Sequence, residues 1–203
     1  MKKIKIGIVG VGNCASSLIQ GIQYYKGKSE NDFCGLMHWD INGYKPFDIE
    51  VVCAFDVDKR KVGKNLYDAI FEKPNCTKVF CDQFDDCNNV IVSKGKILDG
   101  ISNHTTNNDN DKFFSPINND DVTKEDIIKI LNETNTDILV NYLPVGSNDA
   151  SKFYAECALK AKVGFINNIP VFLASNKEWD NKFKQAGVPI LGDDIKSQFG
   201  ATI

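Results

Sequence analysis

Ile4, Ile6, Ile8 and Val9 form a short β-branched run that ends at Gly10-Val11-Gly12. Ala15, Leu18, Ile19 and Ile22 then recur at helical spacing, with polar Ser16, Gln20 and Gln23 between them. A period of two giving way to one near 3.6 predicts a strand, a tight turn and an amphipathic helix. The next apolar run, 49–55, predicts a second strand ending in Asp56-Val57-Asp58, so that residues 26–47 form an insertion between helix and strand. Residues 77–81 and 89–92 are candidate short strands, and 102–121, rich in Asn and Asp, reads as a polar loop. Regular alternation then resumes. Thr123 with Asp126 predicts a capping box opening a helix to about residue 135, followed by a strand over 137–143. A helix over 147–162 places Ala150, Phe153, Tyr154, Cys157, Ala158 and Ala161 on one face. A strand over 164–170 follows, then a helix capped by Ser175 with Glu178 and running to 185, then a strand over 188–191. Strands alternating with helices of such length predict an α/β fold, a Rossmann-like doubly wound parallel sheet.

Composition narrows the function classes. A length of 203 residues suits about one domain, and no apolar run approaches the roughly 20 residues needed to cross a bilayer. The opening MKKIKIGIVGVGNC has a charged start, but its apolar run is short and broken by glycines, which argues against a signal peptide. A net charge of −3 argues against a broad nucleic-acid footprint. The expectation is a cytoplasmic protein without membrane or nucleic-acid partners. Seven cysteines, an odd number, argue against a disulfide framework. Cys76, Cys81 and Cys87 cluster without a C-x-x-C pair or a neighbouring histidine, and His38 and His104 stand apart in polar stretches, so no zinc site or triad is read there.

The turn after the first strand reads G-x-G-x-x-A, a form of the dinucleotide fingerprint. Gly10 permits the tight turn, Gly12 leaves room for a pyrophosphate, and Ala15 lets helix and strand pack closely. The helix N-terminus offers free N–H groups and the positive end of its dipole to phosphates. Asp56, closing the second strand, is placed to accept from the adenosine ribose hydroxyls, which favours NAD over NADP; the neighbouring Lys59, Arg60 and Lys61 weaken that preference. Asp58 reads as a helix N-cap. In a sheet of this kind ligands gather at the carboxyl ends of the strands. Residues 10–14, Asp56, 143–147 and 192–197 should therefore converge on one crevice, bordered by Asn167, Asn168 and Pro170. Asp193, Asp194, Lys196 and Ser197 supply two carboxylates, a lysine and a hydroxyl that could hold a metal, polarise a substrate or shuttle a proton. The alternative for the two aspartates is an N-cap pair.

In these segments the sequence resembles the myo-inositol-1-phosphate synthase (inositol-3-phosphate synthase) family, in its bacterial and archaeal-type branch. The resemblance rests on GIVGVGNCASSLIQGIQYY (7–25), GLMH (35–38), CAFDVDKRKVGKNLYDAIF (53–71) and VIVSKGKILDGI (90–101). It continues through NYLPVGSNDASKFYAECALKAKVGFIN (141–167), NIPVFLAS (168–175) and VPILGDDIKSQFGATI (188–203). It implies an NAD-dependent isomerisation of D-glucose 6-phosphate to 1D-myo-inositol 3-phosphate, a step toward inositol phospholipids. The course is oxidation, enolisation, intramolecular aldol closure and reduction by the same cofactor. By position, the resemblance implies that Gly10, Gly12, Asn13 and Cys14 face the pyrophosphate and Asp56 takes the ribose. Pro144, Tyr154 and Ser197 would lie on the cofactor side, with Asp193, Asp194 and Lys196 catalytic beside nicotinamide and substrate, and a cation on Asp193. Family chains continue well beyond GDDIKSQFGATI, and the missing part carries further lysines. The resemblance thus implies a truncated chain in which 1–192 form the NAD-binding domain and 193–203 begin a catalytic and oligomerisation domain. Such a piece would hold NAD without turnover, and the full-length protein would be a homotetramer. The competing readings are another NAD(P)-dependent Rossmann oxidoreductase, which would release NADH, and a non-catalytic NAD-binding remnant.

Overall fold

The computed structural model describes residues 3–32, 34–84, 89–101, 115–117, 121–195 and 197. Six strands, β1 (Ile4–Val9), β2 (Ile49–Asp56), β3 (Val92–Lys94), β4 (Ile138–Asn141), β5 (Gly164–Asn167) and β6 (Ile190–Leu191), pair in the order β3-β2-β1-β4-β5-β6. Every pairing is parallel. The order reverses between β1 and β4, which makes the carboxyl ends of those two strands the switch point of a doubly wound sheet. Val9 is in register with both Phe55 and Asn141, and Asn141 with Asn167, so the central strands end flush and their following loops share one edge.

Among the described residues five helices cover the faces: α1 (Asn13–Tyr24), α2 (Leu66–Ala69), α3 (Lys124–Glu133), α4 (Asn148–Ala161) and α5 (Lys177–Ala186). Strand side chains alternate between two cores, as a sheet buried on both faces requires. Ile6, Ile8, Ala54 and Val140 pack with Ala15 and Ile19 of α1 and Leu66 and Ala69 of α2. Val9, Cys53, Phe55, Leu139 and Phe165 pack with Ile127 and Leu131 of α3, Tyr154 and Ala158 of α4, and Trp179 and Phe183 of α5. Among the described residues no helix is long and apolar enough to cross a membrane.

Several local expectations are revised. Residues 77–81 form no strand. Gln20, expected between the apolar positions of α1, is fully buried, and its Oε1 accepts from the Phe80 and Cys81 amides at 2.8 and 3.2 Å. Those amides are thereby withdrawn from any ladder. The short strand expected over 89–92 lies at Val92–Lys94, with Ile91 bridging Asn65. Among its described residues the insertion over 26–47 holds a 3-10 turn at Glu30–Asp32, the start of another at Pro46–Asp48, and a bridge between Ile41 and Tyr44. Residues 102–114 and 118–120 of the expected polar loop, with Cys87 and His104, lie outside the described residues.

Helix caps follow side-chain chemistry. Thr123 and Asp126 close the expected capping box: Asp126 Oδ2 accepts from the Thr123 amide at 2.9 Å, and Thr123 Oγ1 accepts from the Asp126 amide at 3.3 Å. The cap of α5 is Asn176 rather than Ser175. Asn176 Oδ1 accepts from the amides of Glu178 and Trp179, while the Ser175 hydroxyl is drawn to Asp193. Asn176→Ala is therefore expected to lower stability by about 1 kcal/mol in urea denaturation, the usual worth of such a cap. An unchanged midpoint would show that α5 is held by packing alone.

Candidate functional site

The first strand delivers the glycine turn to the switch point. Gly10 has φ +91° and donates its amide to Phe55 O at 2.9 Å, tying the turn to the end of β2. A Cβ there would lie 2.9 Å from the Tyr142 carbonyl oxygen, so the turn passes too close to the end of β4 for any side chain. Gly12 stands as N-cap of α1, without a side-chain cap, and a Cβ there would meet nothing within 4 Å. The turn is thus backed by protein at Gly10 and open at Gly12.

Side chains grip the intervening residue, Val11, from two sides. Its amide donates to Asp56 Oδ2 at 2.7 Å. Its carbonyl accepts from Lys61 Nζ at 2.7 Å and Asn75 Nδ2 at 3.1 Å. Asp56 Oδ1 also accepts from the Val57 and Asp58 amides at 2.7 and 2.8 Å. A carboxylate offers about four acceptor positions, so three are used and one remains. Asp58 is buried and caps no helix: it takes Arg60 through Nε and Nη2 at 2.9 and 2.5 Å, with the Arg60 and Ser115 amides. Burial alone would raise the Asp58 carboxyl, but these donors outweigh it and hold it below the usual range.

A cavity of about 390 Å³ opens in front of the turn. Of the expected site residues, Gly10, Gly12, Asn13, Cys14, Asp56, Pro144 and Tyr154 line it. Asn13 has a second task, because its Oδ1 accepts from the Cys76 and Thr77 amides and from the Thr77 hydroxyl, pinning that segment to the start of α1. Tyr154 is almost wholly buried; its hydroxyl accepts from the Lys96 amide at 3.1 Å, and burial drives its pKa upward. Burial also pushes Tyr142, on the cavity wall, up to about 12. At the far side the Asp99 carboxylate accepts from the Asp149 and Ala150 amides, capping α4. Ser147 Oγ, buried on the same wall, has no partner among the described residues.

The last strand end stands apart. Asp193, Asp194 and Ser197 do not line this cavity, nor do Asn167, Asn168 and Pro170, and Lys196 lies outside the described residues. Asp193 is occupied: its oxygens accept from Asn167 Nδ2, the amides of Leu173, Ala174 and Ser175, and the Ser175 hydroxyl, at 2.8–3.2 Å. Burial would raise its pKa, but Asn167, Ser175 and Ala174 together hold it low. Asn167 passes the network inward through Asn141 to Ser151, each link 3.0 Å. Asp194 has φ +58°, and its buried Oδ1 lacks a partner among the described residues. Exposed Ser197 donates its amide to Asp194 O. Among the described residues no three His, Cys, Asp or Glu gather as a metal site would require.

No family model matches the chain. The inositol-3-phosphate synthase of Mycolicibacterium smegmatis is 49% identical over 202 residues, which is 99% of this chain and 53% of that relative. Over nearly its whole length the chain is similar to inositol-3-phosphate synthases. It spans about half the length of the curated relatives it matches. Among solved structures, Ari2 superposes with a TM-score of 0.76 at 30% identity, over 95% of this chain and 52% of that one. A myo-inositol-1-phosphate synthase-related protein from Thermotoga maritima gives 0.67 at 21% identity, over 95% and 55%, a likeness of fold.

For this relative of the inositol-3-phosphate synthases, the residues missed from sequence are Lys61 and Asn75, which support the turn, and Lys96 and Asp99, which line the cavity. Lys61 was one of three adjacent cations, and nothing in the string distinguishes it. Its direction is set by the turn over 58–63, where the Asp58 carbonyl accepts from the Lys61 and Val62 amides. Only the position of Asn75 after Pro74, near the end of the resembling segment 53–71, could have drawn attention.

Proposed function

We propose that these residues form the dinucleotide-holding half of an inositol-3-phosphate synthase that takes D-glucose 6-phosphate to 1D-myo-inositol 3-phosphate with NAD. The observation carrying this reading is the open cavity at Gly12, flanked by the uncapped start of α1 and by an Asp56 carboxylate with one acceptor position to spare. The residues present fit the cofactor. Gly12 admits a pyrophosphate that a side chain would exclude, the first amides of α1 are free to donate to it, and Asp56 can accept from one ribose hydroxyl. Arg60 is engaged by Asp58 and Lys61 is turned beneath the loop, so neither supplies the outward cation that a 2′-phosphate would need. When bound, NAD would supply a hydride acceptor and then the matching donor, leaving no net redox change.

The chain's own residues then act by binding and orientation. Pro144 and Tyr154 wall the cavity, and the Tyr154 hydroxyl fixes the 95–101 segment across it. Asp194 and Lys196 are assigned to the substrate side, where a lysine ammonium would stabilise oxygen charge developing in enolisation and aldol closure. Asp193 shapes the loop beside them. The reading extends to a cytoplasmic homotetramer, and it rests for that on the family resemblance.

Calorimetric titration tests it. The chain should bind NAD at least about tenfold more tightly than NADP, a difference near 1.4 kcal/mol. The 203-residue chain should not form inositol phosphate, whereas a chain extended to its relatives' length should convert glucose 6-phosphate with catalytic NAD and no accumulating NADH. Stoichiometric NADH would point instead to an ordinary dehydrogenase. Failure to bind any adenine dinucleotide would remove the reading.

A further inference from the structure

Lys61 is 3% exposed, yet both of its hydrogen-bond partners are neutral: the Val11 carbonyl at 2.7 Å and Asn75 Oδ1 at 2.8 Å. Its ammonium has three donors, and the third has no partner among the described residues. Buried lysines are rare unless paired, because desolvating an ammonium costs several kcal/mol. The carboxylates near enough to act through space hold their hydrogen bonds elsewhere: Asp58 to Arg60, Glu72 to Lys64, and Asp56 to three amides. Burial accordingly lowers the Lys61 pKa; Asp56, Asp58 and Glu72 oppose that shift in part, and the Arg60 cation adds to it. Lys61 also lines the cavity. A buried cation bonded to no carboxylate among the described residues, behind a turn whose open side faces that cavity, has the chemistry of an anion receptor.

From this arrangement we infer that Lys61 is the phosphate-selective determinant of the cavity, holding the Val11 carbonyl inward and supplying the positive charge that the pyrophosphate of an adenine dinucleotide requires. The inference rests on the dinucleotide reading above and adds to it a residue outside the glycine fingerprint. Two effects are combined. The clamp on Val11 orients the turn, and the charge discriminates phosphorylated from unphosphorylated ligands.

The test separates charge from scaffold by comparing ADP and NAD with adenosine, which lacks phosphate. Lys61→Gln keeps a donor for Val11 and removes the charge. It should weaken ADP and NAD binding by about tenfold or more while adenosine changes by less than about twofold. Lys61→Arg, retaining the cation, should recover most of the loss. Unchanged ADP affinity in a folded Lys61→Gln protein overturns the inference, as does an equal loss for ADP and adenosine, which would make the residue purely structural. If wild type binds none of these ligands, the dinucleotide reading itself falls. Should Lys61→Gln not fold, isotope-labelled lysine in the wild-type protein decides by NMR. The slowly exchanging buried ammonium should shift with ADP and not with adenosine, and no shift with ADP overturns the proposal.

Discussion

Replacing Gly10 by alanine is expected to damage the fold, and replacing Gly12 by valine to abolish dinucleotide binding while leaving the fold intact. The two glycines stand two residues apart in one fingerprint, yet their surroundings are opposite. Gly10 has φ +91°, in the left-handed region, and an added Cβ would lie 2.9 and 3.0 Å from the backbone oxygen and carbon of Tyr142. Neither contact is a flexible side chain that could rotate aside. The conformational penalty alone is roughly 1–2 kcal/mol, and displacing β4 adds to it, so a loss of about 2–4 kcal/mol in urea denaturation is expected. Gly12 has φ −93° and ψ −160°, which any residue adopts, and its Cβ would meet no atom within 4 Å. Gly12→Val should therefore change stability by less than about 1 kcal/mol, while its branched side chain projects into the cavity and lowers NAD affinity by roughly 100-fold or more. Both readouts come from the same two proteins. If Gly12→Val binds NAD as the parent does, the pyrophosphate does not lie on this turn.

That contrast marks how much a sequence of this kind discloses. The strand, turn and helix at the start are legible because period and glycine spacing agree on one structure, and the alternation after residue 123 is legible for the same reason. Legibility ends where a tertiary partner decides. Val79 and Phe80 suit a strand by composition, but Gln20 reaches from α1 to take the Phe80 and Cys81 amides. Ser175 and Asn176 are equally good caps on paper; Asp193, 18 residues from Ser175 in sequence, claims the serine hydroxyl and leaves the cap to Asn176. The cavity wall was legible as glycines and strand ends, whereas its electrostatics were not. Which of Lys59, Arg60 and Lys61 turns inward depends on a backbone turn that carries no pattern of its own. The acidic pair after β6 shows the same limit. Its place at a strand end suggested reactivity, but the donors that absorb Asp193 come from residues 173–175, a connection with no periodicity to announce it.

Asp193→Ala is expected to weaken the fold about as much as Gly10→Ala, by a different route. It removes the acceptor for five donors at once, from Asn167, Leu173, Ala174 and Ser175, and among them the backbone amide of fully buried Leu173 loses its partner. Unsatisfied groups of this kind cost more than the mean worth of the bonds, so a loss of about 2–4 kcal/mol is expected. Asp193→Asn should lose nearly as much, because its amide group would turn donors toward donors. The same network predicts a pH signature. The hydrogen bonds from Asn167, Ser175 and Ala174 override the burial that would raise the Asp193 pKa and set it below the ordinary value of 3.8. A carboxyl whose folded pKa lies below its unfolded pKa contributes stability that is complete above the unfolded value and is lost as pH falls through the folded one. Wild type should therefore lose stability as pH drops from about 5 toward 2, and Asp193→Ala should show a shallower slope across that window. Asp48, Asp58, Asp121, Asp126 and Glu178 are also held low and titrate in both proteins, so the difference between the two curves isolates Asp193. Identical slopes would mean that the donors do not hold the ionised form. The experiment also bears on the cation once expected at this carboxylate. A divalent ion could bind there only by displacing donors that already fill it, so added magnesium should leave the wild-type unfolding midpoint unmoved. A stabilisation by magnesium that disappears in Asp193→Ala would instead show that the loop releases Asp193 to a metal, and would return this residue to the reacting end of the site.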